Sequence, residues 1–321
     1  MAPKKKPPGK DGEADPFDDF IVRYNKIRKE FPDVPKIREA EEYITAIKDL
    51  GTEEPGATSW NFTEEFDPMA FRILHHALRG FNDLKAVRVW KCNGGDESVR
   101  SVCYYIDSTD PQPGVTDLQF VANGVTALGC EFLGKTLGPS GNKVVDLLRL
   151  DYNPFGTEGV EKLSLGLSQN STLRHLSLQF CNIGEDGGQY LAHILMFHRC
   201  ALEKLELRGN YLRERGVVDV FHGARRTKQL SEIDLFGNQF TDTPEVIEAI
   251  KDLFQNNVNI KKYNLGGNMI SDTGAQTLVT GMIGLGHLQS VIVTERASTR
   301  TFEALEQLRG GAGKKKGKKK K

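Results

Sequence analysis

The chain has 321 residues, of which 38% are hydrophobic and 27% charged, a balance typical of folded, water-soluble proteins. No apolar run approaches the roughly 18 residues that span a bilayer. The basic N-terminus lacks the apolar stretch of a secretory signal. The five cysteines include no C-x-x-C pair, which disfavours a disulfide framework or a zinc site and favours a reducing compartment. We therefore expect a cytoplasmic protein that does not bind membranes.

The formal net charge is zero, but the charges are segregated along the chain. Without the terminal lysines and the nearby Asp11 and Glu13, 32 basic residues face 41 acidic ones. The two basic tails, 1–15 and 310–321, are predicted to be disordered and to attract polyanions. The lysines predicted to bind polyanions are Lys4, Lys5, Lys6, Lys314, Lys315, Lys316, Lys318, Lys319, Lys320 and Lys321.

Residues 16–83 are predicted to form a helical N-terminal cap. Apolar residues at helical spacing indicate one helix from Phe17 to Ile27, a second across 37–47 after two prolines, and a third within 65–80. A repeat array needs such a cap over its first strand. The alternative is that the first of these helices docks onto a partner.

One spacing of apolar residues recurs through 84–298. It first appears at Leu84, Val87, Val89 and Cys92, positions one, four, six and nine, and it returns after 31, 30, 28, 29, 28, 30 and 28 residues. Positions four and six alternate with polar residues, as in a short strand with one buried face. Position nine is mostly Asn, whose side chain can satisfy buried backbone groups, and it is Arg296 in the last unit. The spacing predicts about eight repeats, each with a strand and then a helix.

This pattern is the leucine-rich repeat, L-x-x-L-x-L-x-x-N/C-x-L, and its long period resembles the ribonuclease-inhibitor-like subtype. The resemblance implies an α/β fold: a curved leucine-rich repeat solenoid with parallel strands inside and helices outside. A C-terminal capping helix is predicted at 299–309, with Thr301 as its N-cap.

The sequence contains no recognisable catalytic or metal-binding pattern. It has no H-E-x-x-H, no G-x-S-x-G and no phosphate-binding G-x-x-x-x-G-K-[ST] loop. Cys92 and Cys181 occupy position nine, which is predicted to face inward, so we expect both thiols to pack rather than to react. We therefore expect neither an enzyme nor a cofactor.

The strand residues that point away from the helices form the predicted concave face. Positions three, five and seven point off the core, and position eight follows at each strand exit. Exposed aromatic residues beside arginine are typical interface anchors, whereas the mixed charges disfavour a nucleic-acid groove. The residues predicted to bind a protein partner are Arg88, Trp90, Arg149, Asp151, Tyr152, His175, Gln179, Phe180, Glu206, Arg208, Asp234 and Phe236.

The two ends, MAPKKKPPGK and KKKGKKKK, on a repeat body resemble axonemal proteins of cilia and flagella. That resemblance implies a non-catalytic scaffold in a large assembly of the cytoskeleton, with lysine tails that contact the acidic tails of tubulin in microtubules.

Two alternatives remain open. Lysine-rich ends also suit a nuclear or nucleic-acid-associated adaptor. Ribonuclease-inhibitor-like repeats are in addition the fold of the Ran GTPase-activating protein. For that function Arg88 and Arg149 are positional candidates, although the tail of that family is acidic and this one is basic.

Overall fold

The computed structural model describes residues 15–53, 56–107, 112–294 and 297–311, with side chains described to residue 306. From β1 onward, strands and helices alternate along the chain. The strands are β1 Ser59–Phe62, β2 Ala86–Trp90, β3 Asp117–Val121, β4 Leu147–Arg149, β5 His175–Ser177, β6 Lys204–Glu206, β7 Glu232–Asp234, β8 Lys262–Asn264 and β9 Ser290–Ile292. The helices are α1 Pro16–Glu30, α2 Arg38–Leu50, α3 Pro68–Leu78, α4 Gly95–Ile106, α5 Ala127–Thr136, α6 Gly156–Leu167, α7 Gly187–Met196, α8 Arg213–Ala224, α9 Pro244–Asn256, α10 Asp272–Met282 and α11 Thr299–Gly311.

The nine described strands form one parallel sheet in chain order, from β1 to β9. Each strand pairs with the strand of the next repeat, and the position-four residues pair in a single row. That row consists of Val87, Leu118, Leu148, Leu176, Leu205, Ile233, Tyr263 and Val291. The structure thus confirms the predicted repeats and their register, and it confirms an α/β leucine-rich repeat solenoid.

The sheet begins one strand earlier than the sequence pattern indicates. Within the region expected to be helical, Trp60 of β1 pairs with Val87 of β2. Ala57, Trp60 and Phe62 fill positions one, four and six of this additional unit and are buried. The repeat spacing does not indicate this unit, because Ala57 is small and Glu65 replaces the usual Asn at position nine.

The N-terminal helices cover the first strand, β1. The carboxylate of Asp15 accepts a hydrogen bond from the backbone N–H of Phe17 (2.9 Å) and caps α1. From α1, the ring of Phe20 packs against Trp60 and Phe81, with centroids 6.4 and 6.0 Å apart. Full burial of such side chains contributes about 2 kcal/mol each. Phe20 of α1 therefore closes the aromatic core at this end of the sheet, while Tyr43 and Glu39 of α2 form hydrogen bonds with the open edge of β1 at Asn61 and Thr63.

A ladder of buried asparagines joins successive repeats at position nine. In Asn153, Oδ1 accepts hydrogen bonds from the N–H groups of Asn123 (2.9 Å) and Val125 (3.0 Å) in the preceding repeat. Its Nδ2 donates to the carbonyls of Phe120 (2.7 Å) and Leu150 (2.8 Å). Each such asparagine satisfies backbone groups that burial would otherwise leave unpaired.

A second set of buried asparagines, which the repeat spacing did not predict, lies where helices return to strands. Asn170 donates from Nδ2 to the carbonyl of Leu137 (2.8 Å), and its Oδ1 accepts from the N–H of Leu173 (2.8 Å). Asn142 and Asn257 occupy the same place, three residues before position one, and make similar contacts. These three asparagines therefore fix the beginnings of β4, β5 and β8.

The C-terminal helix begins at the predicted residue 299 but differs from its prediction in its cap and in its end. α11 begins at Thr299, and Ser298 caps it by accepting a hydrogen bond at Oγ from the N–H of Thr301 (3.3 Å). Thr301 lies inside the helix and is not its N-cap. The helix continues to Gly311, two residues beyond the predicted end. Arg296, predicted to occupy position nine of the last repeat, lies outside the described residues.

Candidate protein-binding surface

Ion pairs between neighbouring strands organise the concave face. Arg88 on β2 pairs with Asp117 on β3 at 2.5 Å, and Arg208 pairs with Asp234 on β7 at 3.1 Å. Parallel strands lie about 4.8 Å apart, so side chains on adjacent repeats meet across the sheet. Pairs of this kind contribute at most about 1 kcal/mol each. Their main effect is to hold the charged groups of the face in fixed positions.

Glu206 lies at the centre of the concave face. Its carboxylate accepts hydrogen bonds from Nε2 of His175 and from Nζ of Lys204, which is 3.0 Å away. A guanidinium nitrogen of Arg149 approaches within 4.0 Å. Burial acts to raise the pKa of Glu206, but the bonds from His175 and Lys204 outweigh it and lower that pKa to about 2. Glu206 is only 9% exposed, so its charge mainly holds its neighbours.

Asp151 is likewise committed to internal contacts. It is 5% exposed, and its Oδ1 accepts from Oγ of Ser177 (2.6 Å) and from the backbone N–H of Gln179 (2.9 Å). Burial raises the pKa of this carboxyl, although these two hydrogen bonds act in the opposite direction. Asp151 thereby orients the exit of β5, where Gln179 and Phe180 follow.

Two aromatic rings stack in the solvent at the strand exits. The rings of Tyr152 and Phe180 are nearly parallel, 9° apart, with centroids separated by 4.8 Å. Tyr152 is 56% exposed and Phe180 39%. Stacking adds about 0.5–1.5 kcal/mol beyond the area it buries, yet more than half of Tyr152 and over a third of Phe180 remain free to contact another molecule.

The backbone beneath this stack is left-handed. The φ angles of Tyr152 and Phe180 are 59° and 53°, a region that costs a residue with a side chain about 1–2 kcal/mol. Position eight of the next three repeats is glycine: Gly209, Gly237 and Gly267, all with positive φ. Lys91 and Ala122 at position eight of the first two repeats have the same left-handed backbone, so the repeat itself sets this conformation, and Tyr152 and Phe180 add exposed rings at positions where glycine fits best.

Glycines also allow the rings to lie flat against the neighbouring repeat. A side chain at Gly209 would overlap the ring of Phe180, and a side chain at Gly267 would overlap that of Phe236. The guanidinium of Arg208 lies 4.6 Å from the centroid of Phe236, a cation–π contact. The edge of the sheet therefore presents rings backed by glycine and arginine.

The exposed apolar surface extends further than the predicted set. Trp90 is exposed at the end of β2, as predicted for position seven. Tyr211 and Met269, both at position ten, are also exposed, and the predicted set of partner-binding residues does not include them. Position ten is variable in the repeat pattern, so only a comparison of that position across repeats would reveal them. We call Trp90, Tyr152, Phe180, Tyr211 and Met269 the strand-exit edge.

Some of the predicted partner-binding residues contact one another, and others lie on separate repeats. Arg149, Asp151, His175, Gln179 and Glu206 form one connected group next to the stacked rings. The pair of Arg88 with Asp117 and the group of Arg208, Asp234 and Phe236 lie on other repeats. The predicted lysines of both tails lie outside the described residues.

The side chains offer no sign of a reactive or metal-binding group within the part of the chain that the structure describes. No cluster of three or more His, Cys, Asp and Glu side chains there is arranged to hold a metal. Cys92 and Cys181 are buried, as predicted for position nine. Burial raises the pKa of Cys92 to about 12 and also raises that of Cys181. Both thiols therefore stay protonated and unreactive near neutral pH.

The chain matches known leucine-rich repeat sequences. Residues 169–192 match the family model described as leucine-rich repeat. Ribonuclease inhibitor of Mus musculus is 27% identical over 198 residues, which is 61% of this chain and 42% of that protein. NACHT, LRR and PYD domains-containing protein 14 of Homo sapiens is 29% identical over 187 residues, 57% of this chain and 16% of that protein.

The chain is a leucine-rich repeat protein, and its repeats are similar to those of ribonuclease inhibitors. This leucine-rich repeat protein spans less than half the length of these two curated relatives. Among solved structures it is similar to the TLR13–ssRNA13 complex, with a TM-score of 0.43 and 13% identity over 72% of this chain and 31% of that one. Within the described residues, no helix is long and apolar enough to cross a membrane.

Proposed function

We propose that this leucine-rich repeat protein is a non-catalytic scaffold that binds a protein partner through its concave face and strand-exit edge. The observation that carries the proposal is the exposed stack of Tyr152 and Phe180 on a left-handed backbone. Buried aromatic anchors dominate many protein interfaces. A relative whose name describes an inhibitor of ribonuclease, itself a protein, supports the same class of partner.

The side chains around the stack suit a partner surface of mixed charge. Arg149, His175, Gln179 and Arg208 are partly exposed beside the rings and would contact the partner directly. The largely buried Asp151 and Glu206 would act indirectly, by holding those groups in place. Because preorganised groups lose less freedom on binding, such a surface gains affinity from its internal network.

Site-specific photocrosslinking tests this surface. A photoreactive phenylalanine at Tyr152 should capture a defined partner in cells, and adding Phe180→Ala should abolish the capture. The matched control places the same group at Leu165, which is exposed on α6 on the helical side. Capture of the same protein from Leu165, or capture that survives Phe180→Ala, would contradict the proposal.

We further propose that the scaffold belongs to the axoneme of cilia and flagella and that its lysine tails bind acidic surfaces such as tubulin tails. The support is the segregation of charge, with lysine-rich ends on an otherwise acidic chain. Short basic segments bind polyanions in a salt-dependent way.

Cosedimentation with microtubules and localisation in ciliated cells test this second proposal. Binding should fall with rising salt, disappear when the acidic tubulin tails are removed, and disappear when the lysines of 314–321 are changed to glutamine. The control Lys48→Gln changes an exposed lysine of α2 and should bind normally. A nuclear signal with salt-sensitive binding to nucleic acid would instead support the adaptor alternative.

A further inference from the structure

A groove lies at the amino ends of the strands, opposite the strand-exit edge. It is formed by the loops through which α5, α6, α7 and α8 return to β4, β5, β6 and β7, and its volume is about 580 Å³. Its walls comprise residues from 143–146, 171–174, 197–203 and 226–229. We call it the return groove.

The return groove has the opposite charge to the body of the protein. Five cationic side chains line it, and only two carboxylates, those of Asp146 and Glu203, accompany them. One cation, Arg174, is neutralised by its pair with Glu203 at 3.0 Å. The chain outside the tails carries an excess of acidic residues, so this concentration of positive charge is local. The cations of the groove are Lys143, Arg174, Arg199, Arg226 and Lys228.

Most of these cations have no carboxylate to pair with. Within the described residues, Arg199, Arg226 and Lys228 are exposed and make neither an ion pair nor a side-chain hydrogen bond. Lys143 donates from Nζ to the carbonyl of Gly138 (2.6 Å) and has no anionic partner there. The groove therefore holds positive charge that the fold itself does not use.

Stabilisation of helix ends does not account for these charges. Arg199 and Arg226 lie just beyond the C-termini of α7 and α8, where cations often bind the last carbonyls. Neither guanidinium makes such a bond in the part of the chain described. The residue that follows α8 directly, Arg225, is instead paired with Asp252 at 3.2 Å. The free cations of the groove thus remain available to an external anion.

We propose that the return groove binds a short acidic segment of a partner protein. Four successive return loops about 4.8 Å apart span roughly 14 Å, the length of about four extended residues. Partly buried Val144 and Phe197 add an apolar surface between the charges. The carboxylates of Asp146 and Glu203 would repel a nucleic-acid backbone, where every unit is charged, more than a peptide with carboxylates at selected positions.

This inference goes beyond the scaffold function proposed above. The return groove and the strand-exit edge lie at opposite ends of the strands, so occupation of one leaves the other open. The protein would then hold two partners, or two separate segments of one partner.

Photocrosslinking of a peptide to the full chain separates the groove from the lysine tails. The probe is a short peptide of alternating glutamate and serine that carries a benzophenone, and the crosslinked residues are mapped by mass spectrometry. In the wild type, crosslinks should appear at 197–203 and 226–229. They should fall about tenfold or more in Arg199→Glu/Lys228→Glu, because each reversal replaces an attraction with a repulsion.

The control variant, Lys26→Glu/Lys48→Glu, makes the same change of net charge on exposed lysines of α1 and α2. It should crosslink in the groove as the wild type does, and crosslinks to the tail should be equal in all three proteins. All substituted residues are exposed, so thermal melts should be unchanged. Equal groove crosslinking in all three proteins, crosslinks confined to the tails, or an oligonucleotide of equal charge that competes better than the unlabelled peptide would overturn the proposal.

Discussion

Positions eight and nine of each repeat are adjacent in the chain but serve opposite purposes. Position nine turns inward, where Asn153 and Asn210 bond the backbones of two repeats. Position eight turns outward on a strained backbone, where Tyr152 and Phe180 present their rings to solvent. One residue therefore secures the stack of repeats while its neighbour exposes apolar surface at a cost to stability. Stability and recognition can be altered separately at neighbouring positions.

The largest effect is expected at position nine. Asn210→Ala removes the acceptor of the N–H groups of Cys181 (3.0 Å) and Ile183 (3.1 Å) and the donor to the carbonyls of Leu178 and Leu207. Since each buried group left unpaired costs about 1–3 kcal/mol, the free energy of unfolding should fall by about 3 kcal/mol or more in urea titration.

The control for this change is Asn259→Ala, at an exposed residue before β8. Its unfolding free energy should change by less than about 0.5 kcal/mol. Equal effects of the two substitutions would show that the asparagine ladder does not stabilise the array.

A smaller effect is expected from the carboxylate at the centre of the concave face. Its folded pKa of about 2 is below the ordinary value of 4.5, so its contribution to stability is present above that ordinary value and is lost as the pH falls toward 2. Glu206→Gln should lower the free energy of unfolding at pH 7 by on the order of 2 kcal/mol. It should also flatten the loss of stability between pH 4.5 and 2 relative to the wild type and to the exposed control Glu53→Gln. Parallel pH profiles would contradict this role.

Two glycines with the same left-handed backbone test whether the stacked rings of Tyr152 and Phe180 depend on the next repeat. Gly209 and Gly237 have φ angles of 69° and 65°, but only a side chain at Gly209 would displace the ring of Phe180. Alanine should cost about 1 kcal/mol at either site. At Gly209 it should cost about 1 kcal/mol more through the disturbed stack. Equal unfolding free energies for Gly209→Ala and Gly237→Ala would show that the ring does not depend on this glycine.

A change in stability no larger than that of Gly209→Ala is expected at the stack itself. Phe180→Gly loses the stacking contact with Tyr152 but relieves the left-handed backbone. Because the lost stacking and the relieved backbone strain are about 1 kcal/mol each and offset one another, the loss of buried ring area should lower the free energy of unfolding by about 2 kcal/mol or less. A loss of several kcal/mol in urea titration would mean that Phe180 is a structural residue and not a contact residue.

The sequence predicted best what recurs in every repeat. The register of eight units followed from the shared spacing of positions one, four, six and nine, because apolar residues and asparagine return there at nearly constant intervals. The strand at Ser59–Phe62 was not predicted, because Ala57 and Glu65 depart from the pattern. Exposed side chains at variable positions were harder to predict. Tyr211 and Met269 both lie at position ten, where the repeat pattern requires no particular residue.

The character of the predicted site depends on contacts between repeats, which spacing does not encode. Asp151 and Glu206 were expected to face a partner, yet their carboxylates are satisfied by side chains of their own or of neighbouring strands. The return groove collects its cations from four loops at different offsets, so no single motif contains it. The left-handed backbone at Phe180 likewise became visible only in the structure.

The affinity of Phe180→Gly for the protein captured at Tyr152 tests the central claim most directly. The proposed division between the two positions predicts a dissociation constant at least about tenfold higher than that of the wild type, with an unfolding free energy that falls by no more than about 2 kcal/mol. An unchanged dissociation constant would contradict the assignment of the strand-exit edge as the binding surface.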